Sequence, residues 1–252
     1  MGIPVRLVVG IVLCGMVREC GALSRDDVLF YAPFEGSLTA EIAAGGERPV
    51  GDRLSAVEYV AGVIGRAVVT GTSMEDLVAY PVAGHLNERR GVLSLWFRPV
   101  DGRSGDAQPH VVFSIGGRLL FYHYWEGQSF CFWWMNGSTV LWGPGYLYET
   151  VTPDQWQHVV ASWADGKCTI YWNGKPRAEA VDMPVEVPPW TEGEAFRLAQ
   201  PDWTRDRNNR TAIDELMISR NPLSAQEARG LYRHGNVELP GPELRVTGGG
   251  PA

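Results

Sequence analysis

The chain has 252 residues and a formal charge of −7, with Gly 30, Pro 17, Trp 10, Tyr 9 and Phe 8. An acidic balance without a lysine or arginine cluster excludes a surface built for a nucleic-acid backbone. Arg89-Arg90 and the 205–210 stretch, mixed with Asp and Asn, read as solvated loop ends. The glycines and prolines suit many short strands joined by turns, and the length fits one large all-β domain.

In chain order, residues 1–22 read as a signal peptide: Arg6 supplies the positive charge, 7–17 is apolar, and Cys20-Gly21-Ala22 offers the small residues a signal peptidase requires. The apolar run is about 11 residues, too short for a helix to cross a hydrocarbon core. A buried N-terminal strand or a lipidated Cys14 or Cys20 are the alternatives, weakened by the glycines and flanking charges and by the absence of small residues ahead of the cysteines. The domain is then 23–239, followed by a flexible Gly/Pro-rich tail, 240–252.

Within the domain, 28–34 reads as a strand ended by Glu35-Gly36-Ser37, and 39–55 as a surface excursion. Short strands are expected at 57–60 and 66–70, separated by Gly62 and Gly65. Residues 91–99 alternate, with Leu93, Leu95 and Phe97 on one face and Ser94, Trp96 and Arg98 on the other. Strands at 110–115 and 119–125 join around Gly116-Gly117; another at 129–135 closes at Asn136-Gly137. Residues 140–148 contain Gly143-Pro144-Gly145 and predict at best a short strand followed by a loop. Strands at 157–164 and 167–172 flank Asp165-Gly166, the strongest local hairpin signal, and a second turn follows at Asn173-Gly174. A proline-rich bend at 183–193 precedes closing strands at 195–199 and 212–219. Only 224–232 is helical, with Ser224 and Glu227 placed to form a capping box.

Several of these segments together carry a family resemblance. Leu29-Phe30-Tyr31-Ala32-Pro33-Phe34-Glu35-Gly36, Gly62-Val63-Ile64-Gly65-Arg66-Ala67 and Gly91-Val92-Leu93-Ser94-Leu95-Trp96-Phe97-Arg98-Pro99 are followed by Trp156-Gln157-His158-Val159 with Tyr171-Trp172-Asn173-Gly174. Ile213-Asp214-Glu215-Leu216-Met217-Ile218 then precedes Pro222-Leu223-Ser224-Ala225-Gln226-Glu227. In this order they resemble a laminin-G-like domain of the concanavalin A-like lectin/glucanase superfamily. The resemblance implies an all-β, antiparallel two-sheet jelly-roll sandwich with one short C-terminal helix. It also implies a structural calcium held by the Glu35 carboxylate, the Gly36 carbonyl and Asp214, with Asp27 in reserve, although Glu35 stands where an aspartate is more usual.

That scaffold hosts sugar binders, protein binders and glycosidases alike, so function rests on residues. Glycoside hydrolysis needs two carboxyls facing one substrate, and the glucanase relatives place them in alternation on a strand. No such run exists here; Asp214 and Glu215 are adjacent and are expected to point to opposite faces. No Gly-x-Ser-x-Gly elbow appears. His158 reads as a packed structural residue, His85 and His234 have no partner at ligand spacing, and His110 and His123 could meet in space. The chain is not expected to be an enzyme.

The aromatic concentration between 119 and 142 points instead to binding. In Phe121-Tyr122-His123-Tyr124-Trp125 and Phe130-Cys131-Phe132-Trp133-Trp134 both strand faces are apolar or aromatic, yet only one can pack the inter-sheet core. The other forms a ligand platform, or is covered by loops or a partner. Tyr122, Tyr124, Trp133 and Trp142 are the candidate platform residues. Cys131 and Cys168 are either a disulfide, closing a loop of about 37 residues, or two buried thiols. The functional expectation is a secreted or cell-envelope recognition module, binding a glycan or a cell-surface protein, with no nucleic acid and no membrane span. Protein–protein adhesion or a structural envelope role is the alternative.

Overall fold

Strand-forming runs separated by tight turns produce two antiparallel sheets in a computed structural model. The structure describes residues 23–50, 57–72, 77–100, 110–124, 129–147, 149, 151–183, 187–199 and 210–235. The nine-stranded sheet runs β13 (Lys175–Ala180), β12 (Lys167–Trp172), β11 (Gln157–Ala164), β6 (Gly91–Pro99), β15 (Thr211–Ser219), β1 (Val28–Ala32) and β2 (Ile42–Ala43). β4 (Arg66–Thr70) pairs with the first part of β15, and β3 (Glu58–Ala61) pairs with β4. The six-stranded sheet runs β10 (Thr139–Leu147), β9 (Ser129–Asn136), β8 (Leu119–Tyr124), β7 (His110–Ile115), β14 (Ala195–Leu198) and β5 (Ala79–Pro81). The expected leader, 1–22, and tail, 240–252, lie outside the described residues.

The period of two decides what enters the core. Leu93, Leu95 and Phe97 on β6, with Val159, Ala161 and Trp163 on β11, face Phe121 on β8 and Phe130, Phe132 and Trp134 on β9. Rings interlock across the gap: Phe97 meets Phe121 edge-on at 5.8 Å, and Trp134 meets Trp163 at 5.6 Å. Such contacts add about 0.5–1.5 kcal/mol each beyond area burial. The outer face of the nine-stranded sheet is covered by α1 (Ala225–His234), whose Ala228 and Leu231 pack with Val92, Val160 and Met217. The Ser224–Glu227 capping box forms, and Tyr232 stacks on Trp96 at 5.5 Å.

The two tight turns have the left-handed backbone their sequences demand: Asp165 and Gly166 at φ 51° and 78°, Asn173 and Gly174 at 47° and 71°. Three strands have no counterpart in the sequence reading: β2, β5 and β13. β13 is an edge strand in which Pro176 sits beside a register shift, where a missing N–H does least harm. β10 is longer than expected, because two register shifts absorb Trp142 and the Gly143-Pro144-Gly145 run at the other sheet's edge.

Candidate functional site

The outer face of the six-stranded sheet is apolar. Val111 on β7, Leu120 and Tyr122 on β8, and Cys131, Trp133 and Met135 on β9 form a cluster separate from the core. Register builds it: Val111 pairs with Tyr122 and Tyr122 with Cys131 in one row, while Leu120 pairs with Trp133 in the next. Trp133 remains partly exposed, whereas Tyr122 and Cys131 are buried. The Trp133 indole lies against β10 where that strand carries glycine: a Cβ at Gly143 would stand 3.0 Å from the ring, and one at Gly145 would stand 4.0 Å away. The Gly-Pro-Gly run, which resembled a loop, is the bed on which this ring rests.

At one end of the face the β7–β8 and β9–β10 turns wall a groove of about 380 Å³, lined by Ser114, Leu120, Met135, Gly117 and Ser138 among others. The Gly137 N–H donates to the Gly117 carbonyl at 2.9 Å and fixes one turn against the other. Tyr122 and Trp133 thus share this face. The Tyr124 side chain lies outside the described residues. Trp142 sits elsewhere: its ring joins the inter-sheet core and its Nε1 donates to the Val181 carbonyl at 2.8 Å. The bulges in β10 change the parity that alternation alone would give it.

The expected disulfide is corrected by the same geometry. Cys131 and Cys168 are both free; Cys131 is on the outer face of the six-stranded sheet, and Cys168 is inside the sandwich. The sheet stands between them. Burial raises both thiols, Cys131 to about 11, with hydrogen bonds from Tyr122 and Trp133 opposing the rise.

A second polar group lies on the outer side of the nine-stranded sheet. A bulge in β15 sets three residues, from Asp214 on, against two on β6, and Glu215 takes φ 51°. Asp214 and Glu215 therefore do not point to opposite faces: both turn outward, where Glu215 Oε2 accepts the Tyr31 hydroxyl at 2.6 Å. Asp214 Oδ2 accepts N–H bonds from Val63 at 2.7 Å and Ile64 at 3.3 Å, and Oδ1 one from Glu215 at 2.9 Å. Burial raises Asp214 to about 7 and Glu215 to about 8, and nearby Glu35 pushes both the same way.

Glu35 and Asp214 thus meet around the β3–β4 turn, where backbone N–H groups already bond to both carboxylates. Three N–H groups already occupy Asp214, Glu35 Oε2 accepts the Arg66 N–H at 3.0 Å, and the Arg66 guanidinium lies beside Gly36. Among the described residues no three His, Cys, Asp or Glu side chains form a metal-holding group. An ion between Glu35 and Asp214 would relieve the carboxylate repulsion and would compete with these bonds. Both carboxyls of the adjacent pair Asp214 and Glu215 are buried.

Four histidines are buried among the described side chains. His158 is buried under α1, stacks near Trp96 at 4.8 Å, bonds Ser94 Oγ through Nε2 at 3.1 Å, and is depressed to about 3 by burial. No carboxylate orients this Ser–His pair from Nδ1. His85 is buried rather than loosely held: it accepts the Gly45 N–H and bonds the Pro81 carbonyl at 2.8 Å. His110 and His123 do meet, stacked at 5.3 Å.

The two-sheet architecture and its short helix agree with a family model described as the concanavalin A-like lectin/glucanases superfamily, which matches residues 73–229, more than half of the chain. The chain belongs to this superfamily. Among solved structures, domain 4 of AbnA, a GH43 extracellular arabinanase from Geobacillus stearothermophilus in complex with arabinotriose, is similar with TM-score 0.62 and 20% identity. The match covers 82% of this chain and 98% of that one. The binding domain of Paraclostridial Mosquitocidal Protein 1 matches at TM-score 0.62 and 14% identity, covering 83% and 52%. The ligand-binding domain of botulinum neurotoxin serotype D, in complex with N-acetylneuraminic acid, matches at 0.61 and 11%, covering 83% and 51%. The chain spans about half the length of these two toxin domains. No curated protein matches it. At these identities the likeness to the solved structures is one of fold. No described helix is long and apolar enough to cross a membrane.

Proposed function

We propose that the chain is a noncatalytic, extracellular recognition module that binds carbohydrate on the outer face of its six-stranded sheet. One observation carries the reading: Trp133 lies partly exposed on a glycine bed, beside Tyr122, where a sheet face meeting water would be polar. A flat ring backed by glycines offers a surface on which a sugar's C–H face stacks, and the adjoining groove, with Ser114 and Ser138 on its wall, provides room for the ring's continuation. The structural neighbours in complex with arabinotriose and N-acetylneuraminic acid support a glycan over other small ligands. The apolar stretch in 1–22 supports export, and the free thiols place no requirement on the compartment.

Protein–protein adhesion is the second reading, favoured by the apolar residues Val111, Leu120 and Met135 around the indole. A glycan array separates the two. The expected result is selective glycan binding that Trp133→Ala reduces at least tenfold with the melting temperature preserved. Binding unaffected by Trp133→Ala would remove this face as the site, and no glycan signal with stable capture of a protein would favour adhesion.

A further inference from the structure

A second groove opens at the end of the sandwich where β6 begins and β15 ends. Its volume is about 630 Å³, within the range of saccharide-sized sites and far larger than a bare ion needs. Arg90, Arg220, Asn87 and Asn221 supply its polar lining, and Leu29 and Leu86 contribute apolar surface. In a chain of net charge −7, this groove has two arginines in its lining.

Both arginines stand on fixed backbone. Asn87 Oδ1 accepts the N–H groups of Arg89 at 2.8 Å and Arg90 at 3.1 Å, while its carbonyl accepts the core Trp163 Nε1 at 3.1 Å. The Arg90 guanidinium is aimed by a relay: Nη2 donates to Asn221 Oδ1 at 3.0 Å, and Asn221 Nδ2 donates to Asp27 Oδ1 at 2.6 Å. The Arg220 N–H donates to the Asp27 carbonyl at 2.9 Å. Asp27 thus aims the Arg90 guanidinium through the Asn221 amide and holds the Arg220 backbone through its carbonyl. Forked guanidinium donors suit a planar or tetrahedral oxyanion, and the flanking amides and leucines suit a polyhydroxylated ring with an apolar face.

We propose that this groove is a second binding site, separate from the aromatic face, for an acidic saccharide whose carboxylate or sulfate lies between Arg90 and Arg220. The test is titration of the full chain with D-glucuronate, D-glucose 6-sulfate, D-glucose, acetate and inorganic sulfate, followed by saturation-transfer NMR. At least one acidic sugar should bind ten or more times tighter than glucose, the tighter of the two identifying the anion. Arg90→Gln and Arg220→Gln should each weaken that sugar at least tenfold without moving the melting temperature by more than about a degree. Glucose binding as tightly as the acidic sugars, free acetate or sulfate binding as tightly as the sugars, or both variants retaining the parental affinity would each overturn the assignment.

Discussion

Replacing Gly65 with alanine probes how the β3–β4 turn is tied to the closing strand. Gly65 holds φ 49°, and a Cβ there would fall well inside 3.0 Å of both Glu35 carboxylate oxygens. The left-handed backbone alone costs alanine about 1–2 kcal/mol. Glu35 is exposed and can swing away, but doing so forfeits its bond from the Arg66 N–H, worth about 1 kcal/mol at the surface. The reduced freedom of the unfolded chain returns about 0.5 kcal/mol. Gly65→Ala should therefore destabilise by roughly 2 kcal/mol, a loss of about 4–8 °C for a domain of this size. Glu35→Ala should cost about 1 kcal/mol, and the double variant about 1 kcal/mol less than the sum, since the Arg66 bond is lost once in each route. Urea denaturation of the four proteins reads the cycle. Strict additivity, or a neutral Gly65→Ala, would refute the contact between the turn and Glu35.

Stability should also fall as pH rises. Folding raises the pair Asp214 and Glu215 to about 7 and 8 from ordinary carboxylate values, so their contribution is full below about pH 4 and is lost on rising through pH 7–8. The change is on the order of a few kcal/mol for the coupled pair, and Glu215→Gln should flatten a urea-midpoint profile between pH 5 and 8.5; a profile as steep as the parent's would oppose this. Because Asp214 and Glu35 already accept backbone N–H bonds that an ion must compete with, millimolar calcium should shift the melting temperature by less than about 1 °C relative to excess chelator. A larger rise that Asp214→Ala abolishes would restore the ion. Reducing agent should leave the melting temperature unchanged, and the two buried thiols should react with a thiol reagent only slowly until urea is added; stabilisation that dithiothreitol removes would mean the thiols pair after all.

Local chemistry by itself determined much of this protein. The Asp165-Gly166 and Asn173-Gly174 turns follow from residues that tolerate positive φ, the α1 cap from Ser224 and Glu227, and the two faces of β6 from strict alternation. The aromatic excess between 119 and 142 also marked the outer face on which Tyr122 and Trp133 lie. Alternation states that a strand has two faces, but not which sheet it joins or where its count slips. Only the tertiary structure showed that bulges in β10 send Trp142 to the core, and that a bulge in β15 turns Asp214 and Glu215 to the same side. Cys131 and Cys168 looked alike in sequence, yet a sheet separates them. Arg90, 130 positions from Arg220, read as a solvated loop end until β6 and β15 paired and brought the two to one groove. The missing signal in each case is non-local: a bulge shifts parity by one residue, and strand pairing joins segments whose sequences contain no record of each other.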